Sequence, residues 1–186
     1  MTIPRDSWVH RRGEIEQYAK SLDPVARVSR KTSFAWRIGF LRRAATTIGR
    51  TIYIPDDWTF RQAKGVMPHE VLGHVQQFRW AGFFIHPTVG IPLGLLLYAL
   101  FPIPIFGAYI RYRAELHAET KAWEYKLPRG LINGLQIKAR AVRFAGMVGG
   151  KHYLYSMPKC WVLKGFIRRA EKVINAVQRR ASGQVN

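Results

Sequence analysis

The fold and chemistry of this chain are decided by residues 67–77, which read Met-Pro-His-Glu-Val-Leu-Gly-His-Val-Gln-Gln. This stretch places two histidines, His69 and His74, and one carboxylate, Glu70, within a single predicted helix. A hydrolytic zinc site needs neutral imidazoles, a third protein ligand and a carboxylate beside the metal-bound water. A second stretch about forty residues later, Arg-Ala-Glu-Leu-His-Ala-Glu at 113–119, offers carboxylates for the third position.

The five-residue spacing of the two histidines constrains the helix that carries them. On a regular α-helix, residues five apart differ in direction by about 140°, so both side chains would not reach one ion. A π-bulge accommodates one extra residue in a turn and would restore a shared face. Gly73 lies within that turn and lowers the cost of the distortion. A shared metal therefore predicts a local π-turn here.

Bulk composition predicts one folded domain over residues 1–186. Hydrophobic residues make up 48% of the 186-residue chain, enough for a substantial core. The sequence contains one cysteine, Cys160, so any metal would be held by His, Asp or Glu. Residues 1–6 lack the apolar stretch of a secretory signal, which leaves a cytoplasmic, virion-associated or membrane-associated location open.

The formal charge of +19 is concentrated at the two ends of the chain. Residues 1–50 carry 11 Lys/Arg against four acids, residues 51–125 carry six against six, and residues 126–186 carry 13 against one. Basic flanks of this kind indicate an anionic partner. The candidates are nucleic acid, a lipid surface, an acidic cell-wall polymer and an acidic protein. The alternative is a basic face that only solubilises the chain.

Local patterns predict an α+β fold that is mostly helical. Residues Ser7–Ser21 have a helical apolar stripe, and the β-branched stretch Thr46–Ile54 reads as a strand. The partly alternating segment 33–40 is a second strand candidate, so that a short strand pair is expected. Pro68 suits the first turn of the histidine helix, which is expected to run through Trp80 and stop at Gly82.

The second half of the chain predicts three helices. They are expected at Tyr109–Lys126, which bears the glutamates, at Leu131–Val148, and after Pro158 to about residue 181. The last one is amphipathic and basic, and could lie on a membrane, dock on a partner or pack on its own domain. Packing on its own domain is the favoured alternative.

Residues 81–110 form an apolar insertion without Lys, Arg, Asp or Glu. The segment 91–110 has the length of a membrane span, but Pro92, Pro102 and Pro104 leave only 93–101 uninterrupted. Nine helical residues reach ~14 Å, about half the hydrocarbon thickness of a bilayer. A hairpin over 83–110 is therefore expected, either buried, covered by a partner protein or dipping into a membrane, with a true span as the third alternative.

The motif His-Glu-x-x-Gly-His at 69–74 resembles that of zincin metallopeptidases of the gluzincin type. The five-residue spacing is similar to that of the dipeptidyl peptidase III family, in which both histidines bind zinc. That family draws its third ligand from a glutamate-rich helical segment containing Arg-Ala-Glu, and this chain has Arg-Ala-Glu at 113–115. The resemblance covers about fifty residues.

A second similarity is to short bacterial and phage-encoded zincin-like proteins. They have a strand, then His-Glu…His-Val-x-Gln, then a helix with two spaced glutamates. The matching segments here are Thr51–Ile54, 69–77 and 115–119. The resemblance implies a small zincin-like domain in which Thr51–Ile54 is an edge strand able to align an extended substrate.

The resemblance implies a role for each motif residue. Zn²⁺ would be bound by His69, His74 and Glu115, and Glu70 would polarise the zinc-bound water and shuttle its proton. Glu119 lies on the same helical face as Glu115 and is an alternative ligand or an orienting group for a histidine. Further candidates, for stabilising an oxyanion, lie in a predicted loop: His152, Tyr153 and Tyr155.

Two functional hypotheses follow from the sequence. The leading one is a zinc-dependent metallopeptidase-like hydrolase that acts on a peptide or cell-envelope substrate. The alternative is a non-catalytic structural protein, such as a phage virion or neck component or a membrane-associated assembly factor. In that alternative the basic flanks contact nucleic acid or another anionic surface.

Overall fold

The computed structural model describes residues 4–32, 44–79, 104–148 and 158–183. It is mostly helical with one small sheet, which confirms the predicted α+β class. Contacts divide the chain into two compact units, residues 1–94 and 95–186, and each has a core of its own. The single domain expected over 1–186 stays a prediction.

The first unit contains short helices and a three-stranded sheet. In chain order its elements are a 3₁₀ turn at Trp8–Arg11, α1 at Arg12–Leu22, β1 at Arg27–Arg30, β2 at Thr46–Ile48, β3 at Thr51–Ile54, α2 at Phe60–His69 and a π-helical segment at Glu70–Val75. The helix predicted from Ser7 is confirmed. Ser7 caps it by accepting a hydrogen bond from the Val9 amide, and Asp23 follows its last residue.

The sheet has the order β1-β3-β2, with β3 parallel to β1 and antiparallel to β2. The single strand predicted over Thr46–Ile54 is wrong, because a turn at Gly49-Arg50 divides it into β2 and β3. Gly49 has φ +62°, a conformation that glycine adopts without steric cost. The expected edge position of Thr51–Ile54 is also wrong: β3 is central, and the edges of the described sheet are β1 and β2.

The core of the first unit joins the sheet to the helices. Ile52 and Ile54 alternate inward along β3, as expected for a strand with one face covered. They belong to the same buried cluster as three residues spaced by four along the histidine helix, Met67, Val71 and Val75. Each such side chain stabilises the fold by roughly 1.5–3 kcal/mol when fully buried, so this cluster fixes the helix on the sheet.

Pro68 does not begin the histidine helix as predicted. The helix α2 begins earlier, at Phe60, where Thr59 and Gln62 form a reciprocal capping box with hydrogen bonds of 2.8 and 3.2 Å. Pro68 therefore lies inside α2, where it has no N–H to donate to the preceding turn. The helix changes to π-helical geometry two residues later and is α-helical again at 76–79. The expected stop at Gly82 lies outside the described residues.

In its described residues the second unit has three helices: α3 at Pro104–Lys126, α4 at Gly134–Val148 and α5 at Lys159–Ala181. Residues 104–110, expected in the apolar hairpin, belong to α3, and the remainder of that hairpin lies outside the described residues. The α4 helix begins three residues later than predicted. Its start is set by Asn133, whose side chain accepts a hydrogen bond from the Gln136 amide at 2.8 Å.

The amphipathic C-terminal helix packs within its own unit, as favoured from the sequence. Its buried residues are Val162, Phe166, Ala170 and Val173. The Phe166 ring lies 6.0 Å from Tyr112 and 6.4 Å from Trp123, centroid to centroid, in edge-to-face geometry. Among the helices in the described ranges, we find none that combines the length and apolar character needed to cross a membrane.

We expect Gly165→Ala to destabilise the protein by about 1–3 kcal/mol. A Cβ at Gly165 would lie 2.9 Å from Cζ of the buried Tyr112 and closer still to its hydroxyl, so α3 and α5 would have to separate. The matched control is Gly146→Ala within α4, where a Cβ meets no atom within 4 Å. This control should gain roughly 0.5–1 kcal/mol from helix propensity. Urea unfolding measures both, and equal effects would contradict the close approach.

Candidate metal centre

The π-helical segment solves the spacing problem of the two histidines. Its hydrogen bonds run from residue i to i+5, so residues five apart lie one above the other, as residues four apart do in an α-helix. His69 and His74 accordingly lie side by side, with ring centroids 5.0 Å apart and ring planes at 75°. The π-turn that a shared metal would require at this spacing is present at Glu70–Val75.

His74 is oriented by a residue one turn further along the helix. Its Nδ1 lies 3.1 Å from Oε1 of Gln77. With the amide oxygen as the acceptor, the imidazole would carry its proton on Nδ1, and the lone pair on Nε2 would be available to a metal. A neutral histidine held in one tautomer by a neighbouring acceptor is the usual form of a metal-binding histidine.

Glu70 is held between the helix and the sheet. It is 5% exposed, and its Oε2 accepts a hydrogen bond of 2.6 Å from the hydroxyl of Thr47 in β2. This bond ties the carboxylate that follows His69 to an edge of the described sheet. The second carboxylate oxygen, Oε1, is not used by Thr47.

Lys31 adds a positive charge beside this carboxylate. Burial is the larger influence and lowers the pKa of Lys31 to about 8, while attraction to Glu70 acts in the opposite direction. The Lys31 ammonium donates hydrogen bonds to the Ala44 carbonyl at 2.5 Å and to the Thr46 hydroxyl at 2.8 Å. The electrostatic environment of Glu70 is therefore set from two directions, by a hydroxyl and by a cation.

Glu115 of α3 joins the two histidines in a possible ligand group. One ligand atom from each of His69, His74 and Glu115 lies within 4.8 Å of the others, and these three residues could hold a metal ion. His69 and Glu115 are buried, and His74 is partly buried. Two imidazoles and one carboxylate form a donor set found in hydrolytic zinc enzymes. Tetrahedral ligands at bonds of ~2.1 Å are ~3.4 Å apart, so binding requires the ligand atoms, which lie within 4.8 Å of one another, to approach by up to ~1.4 Å.

Glu119 has a different environment from Glu115. It is buried, accepts a hydrogen bond of 2.9 Å from Nε1 of Trp123, and lies 3.9 Å from the guanidinium of Arg140. The group that could hold a metal includes Glu115 and not Glu119. His117 is exposed on the same helix and is not part of the group either. The oxyanion candidates His152, Tyr153 and Tyr155 lie outside the described residues.

The residues around Glu70 could not be found from the sequence. Thr47 is 23 positions from Glu70, and Lys31 is further still, so only the folded sheet brings them near. Gln77 is different, because it follows His74 by three residues on the same helix and lies on the same side. Its spacing within the motif was a usable signal for a histidine partner.

Comparison with protein-family models, with curated proteins and with solved structures found no match for this chain.

A second buried lysine accompanies Glu119 in the core of the second unit. Lys126 is 7% exposed. Burial first, and repulsion from Arg140 second, lower the pKa of Lys126 to about 8, although Glu119 partly offsets both. Since the folded state releases this proton more readily than the unfolded state, the unfolded state binds more protons between about pH 8 and pH 10.5.

We expect the stability of the wild-type protein to rise relative to Lys126→Met between about pH 8 and pH 10.5. A pKa difference of this size corresponds to a gain of at most about 3 kcal/mol. Below pH 8 the difference between the two proteins should be constant, because the lysine is protonated in both states. Urea unfolding at a series of pH values measures it. A flat difference across the whole range would show that Lys126 has an ordinary pKa.

Proposed function

We propose that this protein is a zinc-dependent metallopeptidase-like hydrolase, with Zn²⁺ bound by His69, His74 and Glu115. The observation that carries the proposal is the ligand group itself: two histidines made adjacent by a π-turn, and a buried glutamate within 4.8 Å of both. π-bulges are rare and occur frequently at functional sites. A π-turn that brings two imidazoles together is explained if both bind one ion.

Zinc, when bound, supplies a Lewis acid that polarises a carbonyl oxygen and makes a bound water acidic. Glu70 is the general base. It follows His69 directly in the chain, and Thr47 donates a hydrogen bond of 2.6 Å to its Oε2. Oε1 then accepts the proton of the attacking water and passes it to the leaving amine.

The proposed substrate strand is β2. This strand is at an edge of the described sheet and is joined to Glu70 by the Thr47 hydrogen bond. An extended peptide pairing with β2 would pass next to the general base, since backbone hydrogen bonds to an edge strand fix the direction of an added chain. Such pairing reads the peptide backbone, so the proposed substrate class is an extended peptide, free or in a cell envelope.

We expect the purified protein to bind about one zinc per chain, and His74→Ala to lose it. Elemental mass spectrometry on protein supplied with zinc and then desalted measures the content. Each ligand variant has a matched control on a residue outside the ligand group. For His74→Ala the control is His117→Ala, which should retain zinc because His117 is exposed. Glu115→Gln should lose zinc, whereas Glu119→Gln should retain it because Trp123 and Arg140 engage Glu119. Absence of zinc from the wild-type protein would refute the metal centre.

We expect Glu70→Gln to retain zinc and to lower kcat for peptide hydrolysis by about 10²–10⁴-fold. Glutamine keeps the shape of the side chain but cannot accept the proton from water. Cleavage of a fluorogenic peptide library, together with zinc content, measures both properties. The control is Glu14→Gln, an exposed acid on α1 that forms an ion pair with Arg11. Full activity in Glu70→Gln would eliminate this mechanism even if the zinc site is real.

A further inference from the structure

A surface groove between α3 and α5 collects positive charge. Its volume is about 630 Å³. Its lining includes five basic residues and one acid, Glu124. It also includes three aliphatic residues, Val173, Ala176 and Val177. The basic residues are Lys121 from α3, and Arg169, Lys172, Arg179 and Arg180 from α5.

The distribution of charge around α5 concentrates cations on the groove side. Arg169, Lys172 and Arg180 are separated by three and eight residues, which places them on one face of a helix. Glu171 is the one acid in residues 126–186. It precedes Arg180 by nine residues, two and a half turns, and so lies on the opposite face. The groove therefore receives the positive charge of α5 without its compensating acid.

The groove has little internal neutralisation. Glu124 is paired with Lys121 at 2.9 Å. The four α5 cations are exposed, and within the described ranges none of them forms an ion pair. Like charges that line one groove repel one another, and an anionic ligand relieves that repulsion. Four exposed cations on one helical face therefore favour a ligand with several negative charges.

We propose that this groove binds the phosphate backbone of nucleic acid without reading its sequence. Arg169 and Arg180 are eleven residues apart, about 16 Å along the helix, a length that covers roughly five nucleotide steps of one strand at 3.4 Å each. Among the residues that the structure describes, none of those lining the groove is aromatic and able to stack on bases. Recognition is therefore confined to phosphates, which fix position and carry no sequence information.

The groove suits nucleic acid better than a lipid surface. An amphipathic helix that binds a bilayer inserts a broad apolar face into it. The apolar stripe of α5 is instead buried in the core of its own unit, through Val162, Phe166 and Ala170. This inference is independent of the proposed hydrolase, because the groove residues belong to α3 and α5 and include none of the ligand group.

The test is fluorescence anisotropy of the full-length protein with a labelled mixed-sequence DNA duplex at several salt concentrations. The double variant Lys172→Gln with Arg180→Gln should bind roughly 30-fold more weakly at ~0.15 M salt, and the slope of log K against log salt should fall by about 2. The matched control is Lys138→Gln with Arg143→Gln, two exposed cations of α4 outside the groove with the same loss of charge. It should change affinity by far less.

The second measurement uses a variant that is expected to bind DNA more tightly, a result that misfolding would not give. Glu124→Gln removes the acid of the groove and releases Lys121, so binding should tighten about 5-fold, the effect of one added phosphate contact at ~0.15 M salt. Equal losses in the two double variants, no tightening in Glu124→Gln, or no binding by the wild-type protein would each overturn the proposal. Tighter binding to phosphatidylserine vesicles than to the duplex, reduced by the same groove variants, would also overturn it in favour of a lipid surface.

Discussion

The candidate metal centre depends on one helical turn that contains an extra residue. Without the π-helical geometry of residues 70–75, His69 and His74 would point in different directions and no shared ion would be possible. The turn is held from below by Met67, Val71 and Val75, which are buried against the sheet. Their burial holds the π-helical turn on the sheet, since each such side chain contributes roughly 1.5–3 kcal/mol when fully buried.

Glu115 and Glu119 show how buried carboxylates on one helix acquire separate roles. A buried charge is costly unless hydrogen bonds or opposite charges compensate it. Trp123 and Arg140 provide that compensation for Glu119 within its own unit. Glu115 is instead one of the three residues, with His69 and His74, that could hold a metal ion. The difference between two carboxylates one turn apart thus arises from their neighbours and not from the helix they share.

Features set by residues close together in the sequence could be predicted. Features that depend on contacts between distant residues could not. The five-residue spacing showed that a metal shared by the two histidines would require a π-turn, and the structure has one. The turn at Gly49-Arg50 was missed because β-branched residues surround it, and β1 was missed because Val28 is its one apolar residue. The central position of β3 depends on its pairing with β1, about 24 residues away, which no local pattern contains. The same is true of the contact between Thr47 and Glu70.

The π-turn also has an evolutionary consequence. A π-bulge absorbs one inserted residue locally, so the side chains before and after it keep their directions. A histidine pair four apart in a regular helix and a pair five apart in a π-turn can therefore be interconverted by a single insertion or deletion at Gly73. Val71 and Val75, which flank Gly73, would keep their places in the core. The number of residues between two metal-binding histidines can therefore change during evolution while the relative positions of their side chains are kept.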